Sequence, residues 1–242
     1  MPKIYATNDG VVQLVNNTSW ASCRSASAGK SSTFSNDDTV TSLSYIHRVQ
    51  RSSGRGAASC LLSRTFFTFD TSGISVAPSS ATLRIYGVTI GQSDVIALKS
   101  DYMFHDGQET NFPATPDYSS ITNGETPLGN SDGSGAGTFA STSVVEYSSE
   151  YSSWKSDVGD NENEITLNSD ALSDMASLDT FKVAVINYDY DYLDIEPSSG
   201  EFFIRNGMYI SYNAGTSLDP HIDYTAGTTT VTHNANFFGS NF

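Results

Sequence analysis

The sequence predicts an all-β fold, a two-sheet β-sandwich with one short helix and an extended C-terminal tail. Three observations carry this. Bulky and small or polar residues alternate with period two along most of the chain. Ser, Thr, Gly, Asn and Asp are plentiful, aromatics reach 12% and charged residues only 16%, a mixture that favours strands and turns over helices. Turn signals recur at the spacing of a sandwich. With 242 residues the chain suits one large domain, expected over residues 1–226, with a tail at 227–242.

The first clear strand runs from Cys60 to Phe69, where bulky residues occupy both faces, as in a central strand covered on one side and partly covered on the other. Thr71-Ser72-Gly73 and Pro78-Ser79-Ser80 punctuate the chain before a second strand, with Leu83, Ile85 and Gly87 on one face. Val95 to Lys99 forms a third. From about 101 to 141 the pattern dissolves among Pro113, Pro116, Pro127 and several glycines, and this is expected to be a long surface loop. Order returns at Val144, Val145 and Tyr147 and again at Glu164 to Leu167. Asn168 to Leu178 is the expected helix, capped by Asn168 or Ser169, with Leu172, Met175 and Ala176 as its apolar stripe. Phe181 to Ile186 is a buried strand. Glu201 to Arg205 and Met208 to Tyr212 flank Asn206-Gly207, the signal of a two-residue hairpin. His221 to Tyr224 makes the closing strand.

Charge excludes several functions. Twelve Lys and Arg against 27 Asp and Glu leave a net charge of −15, which repels phosphate backbones and anionic lipid, so neither nucleic acid nor membrane is an expected partner. No apolar run is long enough to span a bilayer, and Met1 to Tyr5 lack the apolar stretch of a secretion signal, so the chain is expected to be made in a cytoplasm. Cys23 and Cys60 form no metal motif; two buried thiols are the expectation, with a disulfide between them the alternative.

Catalytic patterns are thin, and the chain is read as a non-enzyme. There is no Gly-x-Ser-x-Gly elbow, and His47, His105, His221 and His233 stand in unlike contexts. The carboxylate pairs Glu146/Glu150 and Glu162/Glu164 have the chemistry of glycoside hydrolysis, but in a chain this acidic such pairs arise from composition alone. Asn187 to Asp194 is the most specific local feature. Read as a strand, it puts Asp189 and Asp191 on one face and Tyr188, Tyr190 and Tyr192 on the other. Asp189, Asp191 and Asp194 are then candidate calcium ligands, against the alternative of solvated acids at a strand end. Trp154, Tyr188, Tyr190 and Tyr192 are candidate platforms for a glycan.

Arg64-Thr-Phe-Phe-Thr-Phe-Asp70-Thr-Ser-Gly-Ile74, followed by Ser80-Ala-Thr-Leu-Arg84-Ile-Tyr86, resembles the DNRLRE-type β-sandwich domain. Asp219-Pro-His-Ile-Asp-Tyr224 is similar to that family's closing strand, and the stretches 165–168 and 181–191 to versions found in tailed-phage proteins. Ser75 follows Ile74 where the family more often has Pro. The resemblance implies a jelly-roll sandwich related to non-catalytic carbohydrate-binding modules. A free-standing domain of this type without a secretion signal is expected to be a structural protein of a tailed-phage virion, assembled in the host cytoplasm and exposed on capsid or tail. Its expected partners are other virion subunits, further copies of itself, and, on the alternative reading, a host surface polysaccharide. Phe237, Phe238 and Phe242 in the tail are the expected docking residues.

Overall fold

The computed structural model describes residues 1–16, 20–29, 31–33, 42–51, 60–87, 94–100, 144–155, 162–197, 204–210 and 218–228. Along the chain these form β1 (Lys3–Asn16), α1 (Trp20–Arg24), β2 (Ser31–Thr33), β3 (Ser42–Arg51), β4 (Cys60–Asp70), β5 (Ser80–Tyr86) and β6 (Val95–Lys99). After these come β7 (Glu162–Thr166), α2 (Ser169–Ser177), β8 (Thr180–Asn187), a π-helical turn (Tyr188–Tyr192), β9 (Ile204–Ile210) and β10 (His221–Thr225). The expected surface loop at 101–141 lies outside the described residues, as do Phe237, Phe238 and Phe242.

The fold is all-β and antiparallel, and its sheet curls toward a barrel. Seven strands follow one hydrogen-bonded path, β6-β8-β4-β1-β10-β5-β7, while β2 pairs with β1 and β3 pairs with β4 and β9. The two halves of the sandwich share β1. Its first residues pair with β10, Lys3 opposite Asp223, and its later residues pair with β4, from Asn8 opposite Thr68 to Asn16 opposite Cys60. A register irregularity between Ala6 and Asn8 marks the place where the strand changes sheets, which is what a bulge permits. The opposite side is nearly closed by residues 144–155. Tyr151 exchanges both backbone hydrogen bonds with Val95 (3.0 and 2.8 Å), while Tyr147 N–H donates to Ala97 (2.8 Å) and its carbonyl accepts from Asn168 N–H (2.8 Å).

Gly87 shows how tightly that seam is built. A Cβ there would lie 2.4 Å from the Lys155 carbonyl and 2.6 Å from Asn163 Nδ2, closer than real Cβ atoms approach.

The half-sheet β1-β4-β8-β6 is buried on both faces, so β4 and β8 alternate between two apolar layers rather than between core and water. Between the two half-sheets lie Phe67, Phe69, Leu83, Ile165, Phe181, Val183 and Ile222. Tyr147 stacks on Phe181 with ring centres 4.9 Å apart. The outer face carries Val12, Leu14, Leu62, Phe66, Ile96, Leu98, Ala184 and Ile186, covered by Trp20 and Cys23 of α1 and by the tyrosines of the π-turn. Each large side chain so buried contributes about 1.5–3 kcal/mol, so this second layer is a substantial part of the stability.

Several expectations are corrected. Among the described residues three strands precede Cys60, and α1 is a second α-helix. Residues 188–192 form a π-turn, not a strand: the Asn187 side chain accepts from Tyr190 N–H (2.7 Å) and Leu193 N–H donates to Tyr188 (2.8 Å), which winds the backbone before it can pair. Asn206-Gly207 sits inside β9, because the chain there pairs continuously with β3 from Ser42 opposite Ile210 to Val49 opposite Ile204; the expected hairpin is replaced by an irregularity between Tyr45 and His47. In α2, Asn168 is the cap as expected, accepting from the N–H of Asp170 and Ala171 (both 3.1 Å). The buried residues of that helix are Ala171 and Met175, with Leu172 and Ala176 at the margin. Cys23 and Cys60 are joined in a disulfide, their Cα atoms 6.3 Å apart.

Candidate functional site: a tyrosine face over a buried charge clasp

Arg64 lies in the middle of β4, in line with Leu62 and Phe66 on the outer face, and is completely buried. A guanidinium in that position requires a buried anion. The π-turn supplies it. Asp191, also fully buried, accepts from Arg64 Nε at 2.7 Å and from Nη2 at 2.8 Å, a two-point fork. Arg24, at the end of α1, donates from Nε to the Asp191 carbonyl (2.6 Å), and its own carbonyl accepts from Arg64 Nη2 (3.0 Å). Asp194 completes the balance: its carboxylate lies 3.7 Å from Arg24 Nη1 and accepts from Trp20 Nε1 at 3.1 Å. Asp194 has φ of 58°, a left-handed conformation that Asp tolerates better than most residues. Two arginines and two aspartates thus cancel within one buried cluster and fasten α1 and the π-turn to β4.

Above the clasp, Tyr188, Tyr190 and Tyr192 are half-buried and pack on the outer core. The four-residue separation of Tyr188 and Tyr192 on the π-turn stacks their rings 5.4 Å apart at 17°. Tyr192 Oη donates to Glu146 Oε1. Acidic groups surround this pair. Burial, a hydrogen bond with Asp94 and the charges of Asp94 and Asp189 push the Glu150 carboxyl up. Burial and Asp94 do the same for Asp189. Burial followed by the charges of Glu150, Glu146 and Asp189 raises Tyr188, and burial followed by the Glu146 bond raises Tyr192. The surface here is a pair of flat rings edged by four carboxyl groups.

The structure therefore divides the residues that sequence reading grouped. Asp191 and Asp194 face arginines, while Asp189 lies on the acidic rim near Asp94. Among the described residues no group of three or more His, Cys, Asp or Glu is arranged to hold a metal ion. Trp154 belongs to the other layer, edge-on to Tyr151 with ring centres 6.4 Å apart, and does not join the three tyrosines.

The pair Glu162/Glu164 is taken up by one cation. Arg84 Nη1 lies 2.6 Å from Glu162 and 2.7 Å from Glu164, and its Nε lies 2.7 Å from Asp223. His221 joins this ladder. Its Nδ1 is 2.9 Å from the Asp219 carbonyl, which can only accept, so that nitrogen carries the proton. Its Nε2 then faces Lys3 Nζ at 2.9 Å and Glu162 at 3.3 Å. These groups join β1, β10, β5 and β7 across one sheet face. Sequence reading missed Arg24 and Arg64. The available signal was a lone Arg in the otherwise uncharged run from Cys60 to Phe69.

A scan against family models finds no match for this chain, and a search of curated proteins finds none.

Proposed function

We propose that the chain is a non-enzymatic structural protein of a tailed-phage particle, exposed on capsid or tail as a decoration, fibre or tail accessory protein that binds neighbouring virion subunits. The observation that carries this reading is the doubly covered half-sheet: Trp20, Phe66, Phe67, Phe69, Tyr147 and Phe181 are buried in a body whose cover is fastened by a disulfide and by paired charges. Such construction serves persistence and a fixed shape. The net charge of −15 favours an outward-facing position away from packaged nucleic acid. The segments that carry the family resemblance, 64–74 and 80–86, fall on β4, β5 and the turn between them, the frame of both layers. Gly227 packs against the body, where a Cβ would lie 2.0 Å from the Ala77 carbonyl, and Phe237, Phe238 and Phe242 later in the sequence are the proposed docking residues.

The test is mass spectrometry of density-purified particles with copy number per particle. A fixed count supports the reading, in the hundreds for decoration and in the tens or fewer for a tail or fibre; absence from particles overturns it. Removal of residues 227–242 should abolish incorporation while leaving the body folded.

A second reading, recognition of a host surface polysaccharide, is favoured by the stacked Tyr188–Tyr192 pair beside Glu146, since flat rings edged by hydrogen-bonding groups suit sugar faces. On that reading, isolated host polysaccharide binds the protein, and Tyr188→Ala weakens binding without unfolding it.

A further inference from the structure

We propose that Cys23–Cys60 is a redox-conditional latch. It is open while the chain is in a reducing compartment, closes when the protein meets an oxidant, and once closed is shielded from reductant by the helix it fastens. The inference holds whichever functional reading is correct.

The first observation is the anatomy of α1. Its buried residues are Trp20, Cys23 and Arg24. Two of these hold the helix without sulfur: Trp20 Nε1 donates to Asp194, and Arg24 Nε donates to the Asp191 carbonyl, both on the segment after β8. With both cysteines reduced, those contacts still seat α1 over β4 and keep the two thiols adjacent. The charge clasp is thus a template for the bond.

The second observation is burial. Cys23 is 0% and Cys60 4% exposed, both within the outer apolar layer. Thiol–disulfide exchange needs a third sulfur to reach the reacting one, so either direction requires α1 to lift. In the reduced protein that motion breaks the side-chain bonds of Trp20 and Arg24, the Arg64 bond to the Arg24 carbonyl and the apolar cover of a five-residue helix, but no covalent bond. In the oxidised protein the bond itself pins the helix. Closing therefore proceeds at the rate of a local opening, and reopening awaits a larger one.

With a small-molecule disulfide as oxidant, the chemistry balances. Cys60, the more exposed, loses its proton to solvent, and its thiolate attacks one sulfur of the oxidant and expels a small thiolate. Cys23 then loses its proton and displaces the second small thiolate from the mixed disulfide. Two protein thiols become one disulfide, and the oxidant becomes two thiols after taking up the two protons.

The bond spans a sequence separation of 37 and encloses β2 and β3. Constraining a loop of that size in the unfolded chain shifts the unfolding equilibrium by roughly several hundred-fold, a melting shift of about 10 °C for a chain of this length.

The experiment uses the full chain purified in reductant and then equilibrated with oxidised or reduced glutathione. The readouts are thiol alkylation, intact mass and thermal melting. The oxidised protein is expected to show no free thiol and to melt about 10 °C above the reduced one. In reduced glutathione the folded oxidised protein should keep its bond, while the urea-unfolded chain loses it. Trp20→Phe, which removes the indole bond and part of the buried ring, should speed reduction of the folded protein. Cys23→Ala/Cys60→Ala should melt like the reduced wild type in both buffers; if that variant does not fold, the reduced wild type carries the comparison. Equal melting of the two redox forms, failure of the folded reduced chain to form the bond, or equal reduction rates for folded and unfolded chains would overturn the proposal.

Discussion

Replacing Asp191 by Asn keeps the shape of the side chain and removes one charge from a site that is closed to water. In the native cluster Arg64 and Asp191 are 0% exposed and Arg24 2%. The Asp191 carboxylate takes both forks of Arg64, at 2.7 and 2.8 Å, and stands 3.7 Å from Arg24 Nε. With Asn, two guanidinium groups share the single carboxylate of Asp194, and an amide N–H₂ is turned toward an arginine donor. Breaking one side of a buried pair costs about 3–5 kcal/mol. At about 2–4 °C per kcal/mol for a chain of this size, melting should fall by roughly 6–20 °C. The assay is urea denaturation followed by circular dichroism, run on Asp191→Asn, Arg64→Met and Arg64→Met/Asp191→Leu. The double variant retains the Arg24–Asp194 pair and fills the vacated volume with apolar atoms, so it should be more stable than either single variant. A loss below about 1 kcal/mol for Asp191→Asn, the size of a surface pair, would mean that the carboxylate is solvated and α1 is not seated. Additive losses in the double variant would equally refute the coupling.

Three further outcomes follow from the same geometry. Asn168→Ala removes the cap of α2 and the 2.7 Å bond from Nδ2 to the Glu146 carbonyl, and should lower stability by about 1–2 kcal/mol in urea titration. Tyr147 is pushed far up by burial and then by its 2.5 Å bond to Asp174. Its contribution is therefore complete below the ordinary tyrosine pKa near ~10 and is lost as pH rises through the folded value; Tyr147→Phe should cost about 1.5–3 kcal/mol at neutral pH and lessen the alkaline loss. Glu150 and Asp189 are also raised, first by burial, so their sign is the same: the contribution is full below the ordinary carboxyl range and lost as pH rises through the folded values. Melting should thus rise on going from pH about 7 toward about 5, and Asp189→Asn/Glu150→Gln should melt higher at neutrality and show less of that rise.

Where a strand's surroundings match its local pattern, the sequence is legible. Cys60 to Phe69 carries bulky groups on both faces and is covered on both; Phe181 to Ile186 is apolar except for Lys182 and lies beside it; Asn168 caps the helix it precedes. The failures come from tertiary pairing overriding local chemistry. β1 contains Asn8-Asp9-Gly10, residues depleted in strands, yet all three are buried there because β4 supplies a continuous partner. Asn206-Gly207 has the chemistry of a tight turn, but β3 offers a ladder on which the chain runs straight through. At the candidate site, the alternation Tyr-Asp-Tyr-Asp-Tyr imitates period two. An Asn cap just upstream and a buried arginine far outside any local window decide otherwise: the 127-residue separation of Arg64 and Asp191 is invisible to any reading of neighbours.

The same separation explains why the clasp is built from charges. An apolar cover over the outer face of β4 and β8 would be satisfied by many placements of a five-residue helix, because apolar contacts are non-directional. The two-point fork from Arg64 admits one placement of Asp191, and the Asp191 carbonyl and Asp194 carboxylate then fix Arg24 and Trp20. Cys23, one residue before Arg24, is thereby set against Cys60, four residues before Arg64 on the same strand face. Burying four charges contributes little net stability by itself. Its effect is to select the arrangement in which the disulfide can form, and the disulfide then makes that arrangement durable. The tyrosine face owes its geometry to the same choice, since turning Asp191 inward is what leaves Tyr188 and Tyr192 stacked side by side on the outer surface.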